Sequence, residues 1–178
     1  TTQQVSIANE TAVSTTSSGT SVSQATAAAS SSQNQSKYEA NVASVAGKMD
    51  NRVIAAYQQL GFKLVVDPSV NYSGYFAARS RSITMKQIDD SVYHELGHFL
   101  AFIAGNVDKT ASFQSIFAAE KANVTAFNKA YVTQNASEYF AESVKDYILN
   151  NASLKNTRPQ TYAAVQNALN QITDAQIA

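Results

Sequence analysis

The sequence Asp90–Ile103, DSVYHELGHFLAFI, contains the clearest helical pattern of the chain together with both of its histidines. Apolar side chains recur there at steps of three and four residues, which predicts an amphipathic helix with one buried face. These apolar residues are Val92, Leu96, Phe99, Leu100 and Ile103. The pair Gly105-Asn106 predicts where this helix ends.

His94, Glu95 and His98 form an H-E-x-x-H motif on this predicted helix. Four residues advance a helix by about 400° and about 6 Å, so both imidazoles leave the same face one turn apart. Their nitrogens can then bind one Zn²⁺ at about 2.0–2.1 Å. Glu95 lies about 100° around the helix, where its carboxylate can take a proton from water and pass it to a leaving amine. Gly97 leaves room for another element to pass close by. The motif predicts one zinc ion per chain and Glu95 as general base.

An ordinary amphipathic helix with two structural histidines is the alternative interpretation, since H-E-x-x-H also occurs by chance. The chain contains no other histidine, and these two fall at ligand spacing. That coincidence favours the zinc interpretation.

The composition of the 178 residues fits one domain and excludes several classes of protein. Lysine plus arginine number 13, and aspartate plus glutamate also number 13. A net charge of zero gives no electrostatic reason to expect nucleic acid or an acidic membrane as a partner. Cysteine is absent, which excludes disulfides, thiol catalysis and cysteine-ligated metal sites. No apolar run approaches the roughly 18 residues of a membrane span.

Residues 1–36 differ in composition from the rest of the chain. Of these 36 residues, 30 are Ser, Thr, Ala, Gln or Asn, and none is aromatic. Such a segment has little apolar surface to bury and is expected to be a flexible leader or stalk. Partial helix around Ala27–Ala29 is the alternative. We expect residues 37–178 to form the folded domain, and the leader favours a secreted or cell-surface protein.

The order of predicted elements indicates an α+β fold. A helix is expected over Tyr38–Leu60, followed by a buried strand over Phe62–Val66 and a hairpin of Tyr75–Ala78 and Ser82–Met85. The result is a small sheet with an edge strand above the H-E-x-x-H helix. The C-terminal half is expected to be helical, over about 110–121, 122–131, 136–150 and 159–172.

A third zinc ligand must be a carboxylate, because the chain has no other histidine and no cysteine. The metzincin extension is missing, since Ala101 and Ala104 stand where that pattern has glycine and histidine. The candidate carboxylates are Asp108, Glu120, Glu138, Glu142 and Asp146. Of these, Glu120 precedes Lys121 and is expected on an exposed helical face.

Glu138 and Glu142 are four residues apart on one face of the predicted helix Ser137–Tyr147. One of them can bind zinc while the other hydrogen-bonds a ligand histidine from behind. A competing interpretation is a capping box, in which Asn135 is the N-cap and the Glu138 side chain bonds back to it. A glutamate used in that way would not be free to bind zinc.

The combination of His94-Glu-Leu-Gly-His98 with Glu138-Tyr-Phe-Ala-Glu142 resembles the zinc metallopeptidases of the anthrax lethal factor and Pro-Pro endopeptidase group. Tyr131, seven positions before Glu138, belongs to the same pattern. The similarity spans about residues 62–147. The H-E-x-x-H part is shared by many peptidases, and the E-x-F-A-E helix with its upstream tyrosine is the more specific part.

The resemblance implies a zinc endopeptidase with a zincin-like fold. The implied roles are zinc ligation by His94, His98 and Glu138, base catalysis by Glu95, oxyanion stabilisation by Tyr131 and support of a ligand from behind by Glu142. A phenol near zinc can stabilise a tetrahedral intermediate without competing as a base. For Tyr131 the alternative is an ordinary amphipathic tyrosine that closes a helix.

The resemblance also implies that an extended peptide or protein substrate binds to an edge strand by strand addition. Arg81–Lys86 is the expected edge strand, with Gly74–Ala78 behind it. A preference for Pro-Pro bonds comes with the resemblance and not with the sequence pattern. Because the chain has no tryptophan, Tyr72, Tyr75 and Phe76 are the aromatic residues available to contact proline rings.

Two other functions remain open. One is a zinc-binding module that has lost its activity. The other is a cell-surface interaction domain on a Ser/Thr-rich stalk. This alternative does not explain the presence of His94, Glu95 and His98.

Overall fold

Four short strands form the sheet of this protein, whose computed structural model describes residues 36–178. They are β1 (Tyr38–Ala40), β2 (Lys63–Val66), β3 (Gly74–Ala77) and β4 (Ser82–Met85). Their spatial order is β1-β2-β4-β3. β2 and β4 are parallel, whereas β1 is antiparallel to β2 and β3 is antiparallel to β4. Apart from Ser36, the predicted leader lies outside the described residues.

Helices form most of the remaining described chain, and the predicted α+β class is confirmed. They are α1 (Val42–Val45), α2 (Asn51–Gln59), α3 (Ser91–Ile103), α4 (Ala111–Glu120), α5 (Lys129–Val132), α6 (Ala136–Leu149), α7 (Asn151–Thr157), α8 (Pro159–Asn170) and α9 (Asp174–Ile177), with 3₁₀ turns at Val107–Lys109 and Lys121–Asn123. Within residues 36–178, none of these helices combines the length and apolar character that crossing a membrane requires.

The predicted helix Tyr38–Leu60 is wrong in its first half. β1 pairs with β2 there, and a bend separates the short α1 from α2. Asp50 starts α2, since its carboxylate accepts a hydrogen bond from a backbone N–H of the first turn at 2.9 Å. Val42, Met49 and Val53 are buried on both sides of the bend. Their spacing therefore imitates one continuous helix.

The predicted helix over residues 122–131 is also wrong. A 3₁₀ turn ends at Asn123, the backbone at Val124 is extended, and helix resumes only at Lys129–Val132. Val124 is 3% exposed, so this extended part of the chain contributes to the core. The short helices α7 and α9 have no counterpart of their own among the predicted elements.

Helix α3 lies in the core and contacts the sheet as well as α6. Its Leu96, Phe99 and Leu100 are fully buried. A Cβ atom at Gly97 would lie 2.7 Å from both the Cα atom and the carbonyl oxygen of Ala141 in α6. Glycine therefore lets the two helix backbones touch, which confirms that another element passes close at this position.

The prediction that Arg81–Lys86 is an edge strand is wrong. β4 pairs with β2 on one side and with β3 on the other, so it lies inside the sheet. Its Ile83 and Met85 side chains are completely buried, as is typical of a central strand. The outer strand on this side of the sheet is β3.

Within residues 36–178, no strand pairs with the outer edge of β3. The backbone N–H of Lys86 donates to the carbonyl oxygen of Ser73 at 2.9 Å, which fixes the alternation of the antiparallel ladder. In such a ladder every second residue directs its N–H and C=O away from the partner strand. Gly74 and Phe76 are those residues, so their backbone groups face away from β4.

Candidate metal centre

Two helices bring the three predicted zinc ligands together. His94 and His98 leave α3 one turn apart, with their ring centroids 5.0 Å from each other. Glu138 reaches them from the first turn of α6. Its Oε2 lies 3.0 Å from Nε2 of His94 and 3.6 Å from Nε2 of His98. One ligand atom from each residue lies within 4.8 Å of the other two.

This donor set suits Zn²⁺. Two imidazole nitrogens and one carboxylate oxygen are the ligands of a catalytic zinc site that keeps a fourth position for water or substrate. Tetrahedral ligands at about 2.0–2.1 Å from the ion are about 3.3 Å from one another. The distances of 3.0 and 3.6 Å from Glu138 lie on either side of that value. The residues therefore fit the ion, and their role as ligands stays a prediction.

Glu142 lies one turn further along α6, on the other side of the His94 ring. Its Oε2 accepts a hydrogen bond from Nδ1 of His94 at 2.9 Å, and its Oε1 lies 3.5 Å from Nζ of Lys145. The bond at Nδ1 leaves Nε2 of His94 directed at Glu138. Carboxylates behind metal-binding histidines orient the ring in this way. Lys145 is not among the residues predicted for the site, although its i+3 spacing from Glu142 is a usual signal of a charge pair.

Only one of the two hydrogen bonds of the predicted capping box is present at Glu138. Asn135 is the N-cap of α6, and its Oδ1 accepts a hydrogen bond from the backbone N–H of Glu138 at 2.9 Å. The Glu138 carboxylate does not return to Asn135 and instead faces the two histidines. The cap and the metal site therefore use different atoms of the same residue.

Asp108 and Asp146, two of the other candidate carboxylates, have partners elsewhere. Oδ2 of Asp108 accepts a hydrogen bond from Oγ of Ser137 at 2.6 Å. Asp146 forms an ion pair with Arg158, whose side chain is buried. The fold does not bring either carboxylate into the group formed by the histidines.

Glu120 is buried, and the prediction of an exposed position is wrong. Only 5% of its surface is accessible. Its carboxylate accepts hydrogen bonds from the backbone N–H groups of Gln160 and Thr161 at 3.0 and 2.9 Å. These groups belong to the first turn of α8, where a helix leaves N–H donors unsatisfied and favours negative charge. The partners are forty residues away in sequence, so local spacing gave no sign of them.

Glu95 lies beside this group and is 6% exposed. Burial raises the pKa of its carboxyl group, while the charges of His94 and His98 act in the opposite direction. The backbone N–H of Phe76 also favours the ionised form. The fold thus places a carboxylate next to the three candidate ligands without including it among them.

The charges of the site are arranged to hold a cation. Burial disfavours a charged imidazole at His94, but hydrogen bonds with Glu138 and Glu142 outweigh it and raise the pKa of His94 to about 9. Burial also disfavours the ionised carboxylate of Glu138, but hydrogen bonds with His94 and His98 hold its pKa well below the usual range. Positive charge is therefore stabilised between the two carboxylates of α6.

Tyr131 lies on α5 at the rim of the site. Its ring centroid is 6.5 Å from that of His94, and 43% of its surface is exposed. Burial of the hydroxyl group, followed by the charge of Glu138 and the contact with it, raises the pKa of Tyr131 well above the usual range. A phenol that stays protonated can donate a hydrogen bond to an oxyanion.

Phe76 borders the metal centre, whereas Tyr75, which lies between Gly74 and Phe76 in β3, points to the opposite face of the sheet. Phe76 stacks on His98 with a centroid distance of 6.5 Å and an interplanar angle of 14°. Tyr72 and Tyr75 are 37% and 55% exposed, and their ring centroids are 5.9 Å apart. A cavity of about 150 Å³ beside His98 is lined in part by Phe76 and Phe102. Phe102 is not among the residues predicted for the site, because the helical pattern alone does not distinguish it from a core residue.

A comparison with protein families gives a match to this chain. The family described as "Anthrax toxin lethal factor, N- and C-terminal domain" matches residues 77–168, which is just over half of the sequence. The matched region contains the whole of the candidate metal centre, from His94 to Glu142. A search of curated proteins finds no significant match.

Proposed function

The chain belongs to the family of the anthrax toxin lethal factor N- and C-terminal domain, and we propose that it is a zinc-dependent endopeptidase. The observation that carries the proposal is the convergence of His94, His98 and Glu138 next to the buried carboxylate of Glu95. The proposal extends the family relationship to a specific activity. A secreted or cell-surface location is proposed with it.

Three residues would hold one zinc ion in this proposal: His94 and His98 through Nε2, and Glu138 through its carboxylate. A bound zinc ion polarises a carbonyl group and lowers the pKa of water, which is the chemistry that peptide hydrolysis requires. Glu142 contributes from behind, because its hydrogen bond at Nδ1 holds the His94 ring in the ligating orientation.

Glu95 moves the protons in the proposed reaction. Its carboxylate takes a proton from the attacking water while the new C–O bond forms, and it then delivers that proton to the amine nitrogen as the C–N bond breaks. Tyr131 donates its hydroxyl hydrogen to the oxyanion that develops on the former carbonyl oxygen.

The substrate in this proposal is an extended segment of a peptide or protein that adds to the outer edge of β3. The outward-facing backbone groups of Gly74 and the outward-facing carbonyl group of Phe76 support this geometry, since strand addition requires such groups. The N–H of Phe76 already faces the Glu95 carboxylate. β3 takes the place of Arg81–Lys86 as the docking strand. The partly exposed ring of Phe76, which stacks on His98, offers apolar surface for proline beside the site, so Pro-Pro bonds are the first specificity to test.

The test combines zinc analysis with an unbiased peptide library. The zinc-supplied protein should carry about one zinc ion per chain and should cleave library peptides at a defined sequence. Glu95→Gln is the matched control, because it keeps the shape of the side chain and all three ligands. Zinc binding without cleavage would support the inactive module instead. The absence of bound zinc would contradict the metal centre and would favour the interaction domain.

A further inference from the structure

Gly74, the first residue of β3, lies directly against Glu95. A Cβ atom at Gly74 would be 2.7 Å from Oε1, 2.8 Å from Cγ and 3.0 Å from Cδ of Glu95. Real Cβ atoms essentially never approach another heavy atom more closely than 3.0 Å. The carboxyl end of Glu95 therefore occupies the space that any other side chain at this position would need.

Backbone conformation does not account for this glycine. Among the residues that the structure describes, the glycines with positive φ are Gly61 and Gly105. Gly74 has ordinary strand geometry, in which glycine is disfavoured because it packs no side chain. Glycine inside a strand often marks a position that another group approaches closely. The group here is the Glu95 carboxylate.

Glu95 has little freedom to avoid an added methyl group. Its side chain is 6% exposed, so rotation into solvent would break buried packing. The contact involves Cγ and Cδ as well as the terminal oxygen, so turning the carboxylate alone does not relieve it. An added methyl group would have to displace the whole end of the side chain.

We propose that Gly74 is a positioning residue, whose missing side chain sets the place of the Glu95 carboxylate relative to the histidines of α3. The kinetic part of this inference rests on the proposed peptidase function. The packing part depends only on the contact between β3 and α3. The two parts are tested by different measurements.

The kinetic test replaces Gly74 by alanine in the zinc-loaded protein. Misplacing a catalytic group by about 1 Å can cost 10²-fold in rate, so kcat should fall by roughly 10- to 100-fold. Zinc content and KM should stay close to those of the unmodified protein. Gly47→Ala is the matched control, since a Cβ atom there meets only the carbonyl oxygen of Ala43 at 3.7 Å. It should leave kcat unchanged.

A rescue experiment separates positioning from other effects of the methyl group. Glu95→Asp shortens the side chain by one methylene and withdraws it from residue 74. In that background Gly74→Ala should cause little further loss of kcat. An equal loss in both backgrounds, or a loss that appears mainly as a raised KM, would overturn the proposal. Either result would indicate that Gly74→Ala acts by disturbing the pairing of the substrate with β3.

Thermal unfolding tests the contact without any substrate. Gly74→Ala should lower the unfolding midpoint by a few degrees in the unmodified chain. It should have much less effect in a Glu95→Ala background, because the space is then open. Additive midpoint shifts would overturn the contact whether or not the protein is an enzyme. Coupled shifts in a protein that cleaves no peptide would contradict the peptidase function and the kinetic part, and would leave the packing part supported.

Discussion

Two glutamates of this protein, the buried Glu120 and the partly buried Glu138, show opposite uses of the same side chain. The Glu120 carboxylate is satisfied by fixed N–H donors at the start of α8, which have no lone pair to offer a metal ion. Glu138 faces the ring nitrogens of His94 and His98, which can exchange a proton for a metal ion. Burial alone therefore does not identify a functional carboxylate. The chemistry of its neighbours does.

The largest contrast is expected in metal content. Glu138→Ala should lose most of the bound zinc, and His94→Ala or His98→Ala should abolish binding, because each removes one of the three ligands. Glu120→Ala should keep one zinc ion per folded chain. Elemental analysis of the purified variants measures this directly. If Glu142→Ala lost more zinc than Glu138→Ala, the roles of these two glutamates would have to be exchanged.

Replacing Glu95, which lies beside the proposed ligands, should lower the rate of peptide cleavage and leave the zinc content unchanged. Glu95→Gln should keep zinc and lose about 10²–10⁴-fold in kcat/KM, because an amide cannot accept the proton of water. The acidic limb of the rate profile should disappear with it, since only an ionised Glu95 can act as the base. Peptide cleavage assayed across pH, on protein of known zinc content, provides the measurement. Cleavage at the normal rate by a zinc-loaded variant is incompatible with the mechanism.

Replacing Tyr131, a neutral hydrogen-bond donor at the rim of the site, should lower the rate less than replacing the proposed base Glu95. Tyr131→Phe should retain zinc and lower kcat by roughly 10²–10³-fold, as the loss of an oxyanion donor does. The acidic limb of the rate profile should remain, because Glu95 is untouched. Steady-state kinetics on the same peptide distinguishes the two variants. An unchanged kcat would leave Tyr131 with the structural role of a tyrosine that closes α5.

Replacing Glu142, which lies behind His94, should weaken zinc binding less than replacing the proposed ligand Glu138. Glu142→Ala should weaken zinc affinity or activity by about 10- to 100-fold, since it frees the ring to rotate. Competition with a chelator measures the affinity. Glu142→Gln keeps an acceptor oxygen for Nδ1 and should recover part of the loss. No recovery would indicate that the negative charge, and not the hydrogen bond, supports the histidine.

Replacing Glu120 should have the smallest effect on the metal centre. Glu120→Ala leaves buried N–H groups at the start of α8 unsatisfied and should lower the free energy of unfolding by about 1–3 kcal/mol. Urea denaturation measures the loss. The folded fraction should bind zinc and cleave peptide like the unmodified protein. A fall in zinc affinity at unchanged stability would show that Glu120 is coupled to the metal centre.

The local part of the site was predictable from sequence. His94, Glu95 and His98 are held by the geometry of one helix, so their spacing determines their relative positions. Glu138 was only one of several candidates, because its place depends on how α6 crosses α3. That crossing relies on Gly97, whose closeness to Ala141 is a property of the fold.

The errors have a common physical cause. Val42, Met49 and Val53 are buried at spacings of seven and four residues across a bend, as they would be on one helix, because burial constrains side chains and not the continuity of the helix. Whether Ser82–Met85 is an edge or a central strand depends on its parallel pairing with β2, which no local pattern reports. The hydrogen-bond partners of Glu120 at the start of α8 are likewise brought to it only by the tertiary fold.

The contact at Gly97 also has a thermodynamic consequence. Two touching backbones cannot adjust their separation by side-chain rotation, so the distance between the histidines of α3 and Glu138 of α6 is a property of the folded chain. An ion that enters meets ligands already spaced for it, and little conformational entropy is lost on binding. Small zinc modules, by contrast, fold only around their ion. We therefore expect the proposed zinc ion to be exchangeable without refolding, so that Co²⁺ can replace it as a spectroscopic reporter of the intact site.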